Sequence, residues 1–497
     1  MRRGILGATA LFLCVAAPRA FAGDVGLYPF DAKGKVKAVR AIDTNGDGRL
    51  DLVVLVERRE EGAAPATDLL VLRTPAAPAG KAFYGDADVT RIPCSGASAG
   101  ARAAAGAVAL GRFGPKGAFR FRFLGPTGVV EQMPDGSACP PREGEPPAAP
   151  LLARSGGAAL VFWDGVADLD GDGVDECWYP AANGQMTAGD LSVVNEAQRT
   201  DATLFARKTT IPTLMPADLD GDGKKELLAL EGTDLVVWRL KPGGRLERSE
   251  RVPLLFLAPD PARPPTEMHT PRISLADIDG DGKVDLIVTL IQGRADQPGG
   301  LKTSLYHYRG PFWDAKTKAL VEPLVRIDTE SVALHPRFVD VDGDGKLDYV
   351  ADSIRGNMVD LLKRIMGAEP VITYTAFRFV ADKGTFEGAP YATFTRPYSS
   401  AVARKGEFQR SGFFEGDFDG DGVKDLLDLG NLTSVTILRG AKGPGAFVEP
   451  FLKPVPLGAG ETFAPDAVVA DLNGDGRADA ALWSEKTLYL IVSRGSK

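Results

Sequence analysis

The sequence predicts an all-β fold: a single β-propeller of about eight four-stranded blades, with seven blades as the alternative. An N-terminal strand pairing with the last blade is expected to close the ring. Three observations predict this. A nine-residue acidic pattern recurs through the 497-residue chain. Short, often β-branched apolar runs flank each copy, as buried strands do. A second hairpin signal, centred on glycine, follows downstream in each unit, so the repeat is a unit of about four strands.

The pattern is D-x-[DN]-G-D-G-x-x-[DE]. Its seven copies begin at Asp43, Asp168, Asp218, Asp277, Asp340, Asp417 and Asp471. From Asp168 on, the intervals are 50, 59, 63, 77 and 54 residues, whereas the first is 125. A degenerate copy, RFGPKGAFR from Arg112 to Arg120, splits that first interval into 69 and 56 and gives eight units. It keeps the sixth-position glycine as Gly117 but puts Arg112, Lys116 and Arg120 where acids stand elsewhere. Were this unit an insertion, seven blades would remain. Its basic residues would repel a cation, and they could replace a metal's charge or bridge to a neighbouring blade.

Apolar runs such as 467–470 precede the copies, and runs such as 52–56, 286–288 and 426–427 follow them, so each acidic stretch reads as a hairpin loop. The downstream hairpins are seen at 235–240 before Pro-Gly-Gly, at 376–380 before Lys383-Gly384, and at 435–438 before Gly440. The last unit ends after about three strands, and the segment from Val25 to Phe30 is expected to supply the fourth. In the long unit after Asp340, Met358, Leu361, Leu362, Ile365 and Met366 fall at helical spacing, which predicts a short amphipathic helix near 354–368.

Residues 1–22 read as a secretory leader. Arg2 and Arg3 precede an apolar run from Ile5 to Ala17, and Ala20-Phe21-Ala22 fits the small-x-small cleavage rule. This leaves a repeat domain of residues 23–497 that is secreted or periplasmic. The formal net charge of −8 becomes −11 once three arginines leave with the leader. So acidic a chain lacks the clustered Lys and Arg that a phosphate backbone requires, which excludes nucleic acid. No later stretch is apolar enough to span a membrane, and a monomer is expected. Cys94 and Cys139 flank the degenerate unit. A disulfide between them is expected to staple that blade, with Cys177 as the odd thiol.

The pattern suits a hard divalent cation. Ca²⁺ takes six to eight oxygen ligands in tolerant geometry. A tight loop can aim its first, third and fifth side chains inward, and the glycines at positions 4 and 6 permit the positive φ that such a wrap needs. Position 7 varies too much in chemistry to ligate by side chain, so its backbone carbonyl is the expected donor. Position 9 is always Asp or Glu.

The candidate ligands are Asp43, Asn45, Asp47, Arg49 and Asp51; Asp168, Asp170, Asp172, Val174 and Glu176; Asp218, Asp220, Asp222, Lys224 and Glu226. They continue as Asp277, Asp279, Asp281, Lys283 and Asp285; Asp340, Asp342, Asp344, Lys346 and Asp348; Asp417, Asp419, Asp421, Val423 and Asp425; Asp471, Asn473, Asp475, Arg477 and Asp479. About seven Ca²⁺ sites are therefore expected, those with Asn45 and Asn473 being the weaker. Mg²⁺ demands stricter geometry. Zinc or copper would want His or Cys, and none of His269, His307 and His335 lies in such a loop. An EF-hand would carry Glu at position 12 between helices, where this chain has Val54, Val288 and Ala351 among strands.

With these residues in view, the chain resembles the FG-GAP and VCBS repeat proteins, relatives of integrin α-subunit propellers. The resemblance implies a propeller with Ca²⁺-binding hairpin loops, usually serving extracellular binding of protein or glycan ligands. Some such relatives are polysaccharide lyases or other carbohydrate-active enzymes, which keeps a calcium-dependent lyase as the alternative function. No nucleophile motif, phosphate-cradling loop or His-centred constellation is present, so no catalytic residue is assigned. Trp163, Trp178, Trp238, Trp313 and Tyr308 are the candidate stacking residues.

Overall fold

Each acidic stretch is a hairpin loop between two strands. Lys35–Ile42 and Asp51–Arg58 flank the first, and Ala66–Leu72 and Val89–Pro93 complete an antiparallel meander. The computed structural model describes residues 25–59, 65–75, 82–94, 105–125, 128–139, 160–180, 186–188, 203–204, 207–208, 214–231, 233–241, 245–257, 267–294, 296, 300–354, 371–398, 409–440, 447, 450–456 and 461–494. The leader-like residues 1–22 and nearly all of the helix expected near 354–368 lie outside them. No helix among the described residues is long and apolar enough to cross a membrane.

The same meander recurs in order from Met215–Ala217 to Arg245–Pro253, from Met268–Ala276 to Val325–Thr329, and from Gly412–Gly416 to Pro450–Pro456. The unit at Asp340 has five strands, because Val332–Ala333 and Arg337–Val339 share one edge of Asp348–Ile354. The last unit supplies Ala467–Ala470, Asp479–Trp483 and Thr487–Ser493. Its fourth strand is the N-terminal Val25–Asp31, antiparallel to Thr487–Ser493 with Val25 opposite Ser493 and Asp31 opposite Thr487. Ring closure by the N-terminal strand is as expected.

Among the described residues seven sheets carry four or five strands, the seven-bladed arrangement, rather than about eight full blades. The short unit is the one at Asp168. Among the described residues its sheet has Val166–Ala167, Glu176–Pro180 and Met186–Ala188, and Thr203–Leu204 pairs separately with Arg207–Lys208. The degenerate unit is no insertion: Ala107–Gly111, Arg120–Gly125 and Gly128–Gln132 form a sheet, and Val161–Trp163 adds to it in parallel beside Ala107–Gly111.

Burial explains why the second strand of a unit reads as a continuous apolar run. Successive side chains point to opposite faces, and here both faces are covered. In Asp51–Arg58, Leu52, Val54 and Val56 pack against the closing sheet with Ala481, Trp483 and Leu488. Val53 and Leu55 face the other way, onto Val108, Phe121 and Phe123. The core is thus a series of layers between neighbouring sheets.

Three expectations are corrected. The Cys94–Cys139 disulfide is not formed. Cys94 is turned into the layer around Phe121 and Phe123, where its thiol donates to the Ile92 carbonyl. Arg120 does not bridge to a neighbouring blade but pairs with Glu131 in its own sheet, at 2.5 Å. Of the stacking candidates, Trp178, Trp238 and Tyr308 are buried in sheet-to-sheet layers. Trp163 and Trp313 are half-buried, Trp313 edge-on to Phe312.

Candidate metal centres

The loop from Asp340 to Asp348 shows how the sequence builds the site. Asp340 accepts from three backbone amides, Gly343 N and Asp344 N to Oδ1 at 2.8 and 3.1 Å and Gly345 N to Oδ2 at 2.9 Å. Asp342 accepts from Asp344 N at 3.2 Å, and Asp344 from Lys346 N at 2.8 Å. The carboxylates at positions 1, 3 and 5 therefore shape the loop that gathers them. Gly343 and Gly345 have φ of +76° and +83°. All fourteen glycines at positions 4 and 6 of the seven acidic loops lie between +70° and +87°, a region costly for any side-chain-bearing residue.

Position 9 behaves differently. Asp348 is fully buried and accepts from Val341 N at 3.0 Å and Phe379 N at 2.8 Å. It pins its own loop to the chain leaving the third strand. Asp425 does the same with Phe418 N and Gly440 N, and Asp479 with Leu472 N and Ser493 N. Burial outweighs these hydrogen bonds and pushes Asp348, Asp425, Asp479 and Glu176 up to about 7. Each of these acids is strained as an anion unless a cation joins it.

In five loops the structure gathers three carboxylates with one oxygen of each within 4.8 Å of the others. They are Asp168, Asp170 and Glu176; Asp218, Asp220 and Glu226; Asp277, Asp279 and Asp281; Asp340, Asp342 and Asp344; Asp417, Asp419 and Asp425. The two loops with Asn at position 3 gather no such trio among the described residues. The donor set is all oxygen, and Oδ2 of Asp342 is buried against the Arg378 guanidinium at 2.6 Å. Hard-cation chemistry fits these residues.

The sequence reading missed a set of arginines. Arg239, Arg309, Arg378 and Arg439 stand at or just past the end of the third strand of their units. Each pairs with the position-3 acid of its own loop: Arg239 with Asp220 at 2.6 Å, Arg309 with Asp279 at 2.7 Å, Arg378 with Asp342 at 2.6 Å and Arg439 with Asp419 at 3.5 Å. The signal was available as the recurring W-R-L, Y-R-G, F-R-F and L-R-G. Arg73 and Arg494 hold the same place in the two units whose third position is Asn45 or Asn473. Both lack an acid there. The Nε of Arg73 is buried without a hydrogen bond, and Arg494 lies over the Tyr28 ring.

The loops also hold one another. The amide of position 8 in one loop donates to the carbonyl of position 1 or 2 in the loop before it. These bonds are Asp175 to Arg112, Lys225 to Leu169, Val284 to Asp218, Leu347 to Ile278, Lys424 to Val341 and Ala478 to Asp417. Leu50 to Leu472 joins the first acidic loop to the last. Among the described residues, only the junction between the first acidic loop and the degenerate loop has no such bond. Six of the seven position-4 glycines face the next loop, Gly46 being the exception: a Cβ on Gly343 would overlap the Gly422 carbonyl oxygen, while one on Gly345 would meet nothing within 4 Å.

The sequence model of FG-GAP-like repeats matches residues 218–288, 277–351 and 417–482. No curated protein matches the chain in sequence. Among solved structures, the biofilm matrix protein Bap1 of V. cholerae is similar over 94% of this chain and 88% of its own, at 13% identity and a TM-score of 0.38. A lectin of Agrocybe aegerita that recognises non-reducing terminal N-acetylglucosamine is similar over 66% of this chain and 94% of its own, at 16% identity and a TM-score of 0.26. The dihydro-heme d1 dehydrogenase NirN is similar over 95% of this chain and 79% of its own, at 10% identity and a TM-score of 0.36. TM-scores this low carry no argument about binding or activity.

Proposed function

Since the chain is an FG-GAP-repeat β-propeller, we propose that it is an exported, calcium-stabilised binding module for a protein or glycan. The observation that carries this reading is the repetition of the acidic trios. A catalytic metal needs one site, whereas trios built into the hairpins of five separate sheets serve the scaffold. The carboxylates of positions 1, 3, 5 and 9 would hold Ca²⁺, which would supply positive charge to groups that otherwise repel. Loops so stiffened would present a rigid rim to a ligand, which lowers the ordering cost of binding. Export is inferred from the leader-like residues 1–22.

The metal half is tested by removal. A ligand that binds only the folded state stabilises it by about 2.7 kcal/mol per site at a hundredfold excess over Kd. EGTA is expected to lower the melting temperature by many degrees, and elemental analysis to find calcium. No thermal shift and no calcium would sink it. The binding half is tested on glycan and protein arrays.

One observation favours the alternative, a calcium-dependent polysaccharide lyase or other carbohydrate-active enzyme. His335 Nδ1 lies 2.6 Å from Oδ2 of the fully buried Asp352, and Arg337 is ion-paired to the same carboxylate at 3.6 Å. A carboxylate that orients an imidazole is an arrangement that bases use. Ultraviolet-absorbing unsaturated products from an acidic polysaccharide would establish this reading; their absence across a substrate panel would leave the binder.

A further inference from the structure

The ring of acidic loops has one basic break, and it opens on a cleft. Between the first acidic loop and the degenerate loop lies a cavity of about 650 Å³, within the roughly 300–1,000 Å³ usual for small-ligand sites. Asp43 and Asn45 of the first loop, Arg112 and Lys116 of the degenerate loop, and Arg73 and Met133 line it.

Local donors hold the cleft's acids, Asp135 also feeling the charge of Arg73, while Arg112 and Lys116 are exposed. Asp43 accepts from the amides of Asn45, Gly46 and Gly48. Asp135, at the edge, accepts from the amide and hydroxyl of Ser137. Arg112 is held by its backbone amide, which donates to Asp175 at 2.6 Å, and its side chain is exposed, as is that of Lys116. Arg73 has lost the acid that its counterparts in four other units use, because position 3 of its loop is Asn45. Its Nε is buried with no hydrogen-bond partner. Three positive side chains thus line one cleft of an otherwise acidic ring.

We propose that this cleft binds an acidic saccharide, whose carboxylate or sulfate group lies among Arg73, Arg112 and Lys116. Guanidinium groups suit planar and tetrahedral oxyanions. The other polar residues of the lining are Asp43, Thr44, Asn45 and Asp135, of which Asp43, Asn45 and Asp135 keep lone pairs that can accept from sugar hydroxyls. A peptide would want an open strand edge or an apolar groove; loops form this cleft, and its apolar share is Met133, Pro134 and the buried Phe119.

The proposal rests on the binding-module reading and gives it a place and a ligand class. The test is calorimetric titration of the whole calcium-loaded protein with three disaccharides: one uronate-bearing, one sulfated, one neutral. The expected result is binding of at least one acidic sugar, weakening as salt is raised, with the neutral one at least tenfold weaker. Arg112→Gln with Lys116→Gln should reduce affinity at least tenfold without moving the melting temperature. Asn45→Asp, which restores an acid opposite Arg73, should reduce it several-fold. Equal affinity for the neutral sugar, no binding of either acidic one, or indifference to the double substitution would overturn the site. A ligand found on an array, and bound equally by the double variant, would keep the binding module and discard the cleft.

Discussion

Replacing Asp348 with asparagine should change the sign of its effect with calcium. The Asp348 carboxylate accepts Val341 N and Phe379 N from inside the core. An amide can accept only one of them and turns its NH₂ toward the other, leaving a buried donor unmatched at a cost of about 1–3 kcal/mol. In calcium a ligand is lost as well, so destabilisation beyond that range is expected. Without calcium, the wild-type acid is pushed to about 7 from 3.8 by burial. That rise corresponds to on the order of 4 kcal/mol of strain when it ionises above pH 7. Asparagine removes that strain, so in EGTA at pH 8.5 the variant should match or exceed the wild type. Urea unfolding followed by far-ultraviolet circular dichroism reads both conditions through the midpoint. An equal loss in calcium and in EGTA would refute the reasoning, because the carboxylate would then be a latch with no cation to answer.

The same shifts give the metal-free protein a pH dependence. Glu176, Asp348, Asp425 and Asp479 rise to about 7 when folded, so the folded state holds more protons than the unfolded one between about pH 4 and 7. Stability in EGTA should be greatest at the acidic end of that window and should fall as pH rises through 7; a profile rising toward pH 8 would contradict the burial argument. The glycine pair separates backbone strain from loop nesting. Gly345→Ala should cost about 1–2 kcal/mol for its positive φ alone, and Gly343→Ala at least twice as much, measured as the difference in urea midpoints. Asn473→Asp should raise calcium affinity at the last loop, seen by calorimetry as one site moving to tighter binding, since it completes a trio that Asn473 leaves short of charge.

How much of this was legible follows from what each feature depends on. The hairpin loops were, because D-x-[DN]-G-D-G encodes its own geometry in contacts two to five residues apart. Closure by Val25–Asp31 was legible by counting, since the last unit was one strand short. The three-stranded pairing of the Asp168 unit among the described residues was not: its loop is intact in sequence, but strand pairing depends on neighbours far along the chain. The position-3 arginines lie 19 to 36 residues from their partners, and a motif read as one continuous stretch cannot include them. Trp178 and Trp238 were offered as stacking residues because composition cannot tell a buried aromatic from an exposed one; both fill inter-sheet layers. The Cys94–Cys139 staple was inferred from flanking position alone, and the side chain of Cys94 turns inward instead.

Closure also sets a timetable. Among the described residues, Val25–Asp31 has one sheet neighbour, Thr487–Ser493. At a synthesis rate of roughly 5–20 residues per second, the second strand emerges on the order of 20–90 s after the first. Throughout that interval Val25–Asp31 has an unmatched edge, of the kind that invites pairing with the wrong chain. The blades between can form as they appear, each against the one before. The seam waits for Thr487–Ser493, so a ribosome that stops before that strand leaves an open ring with two sticky ends.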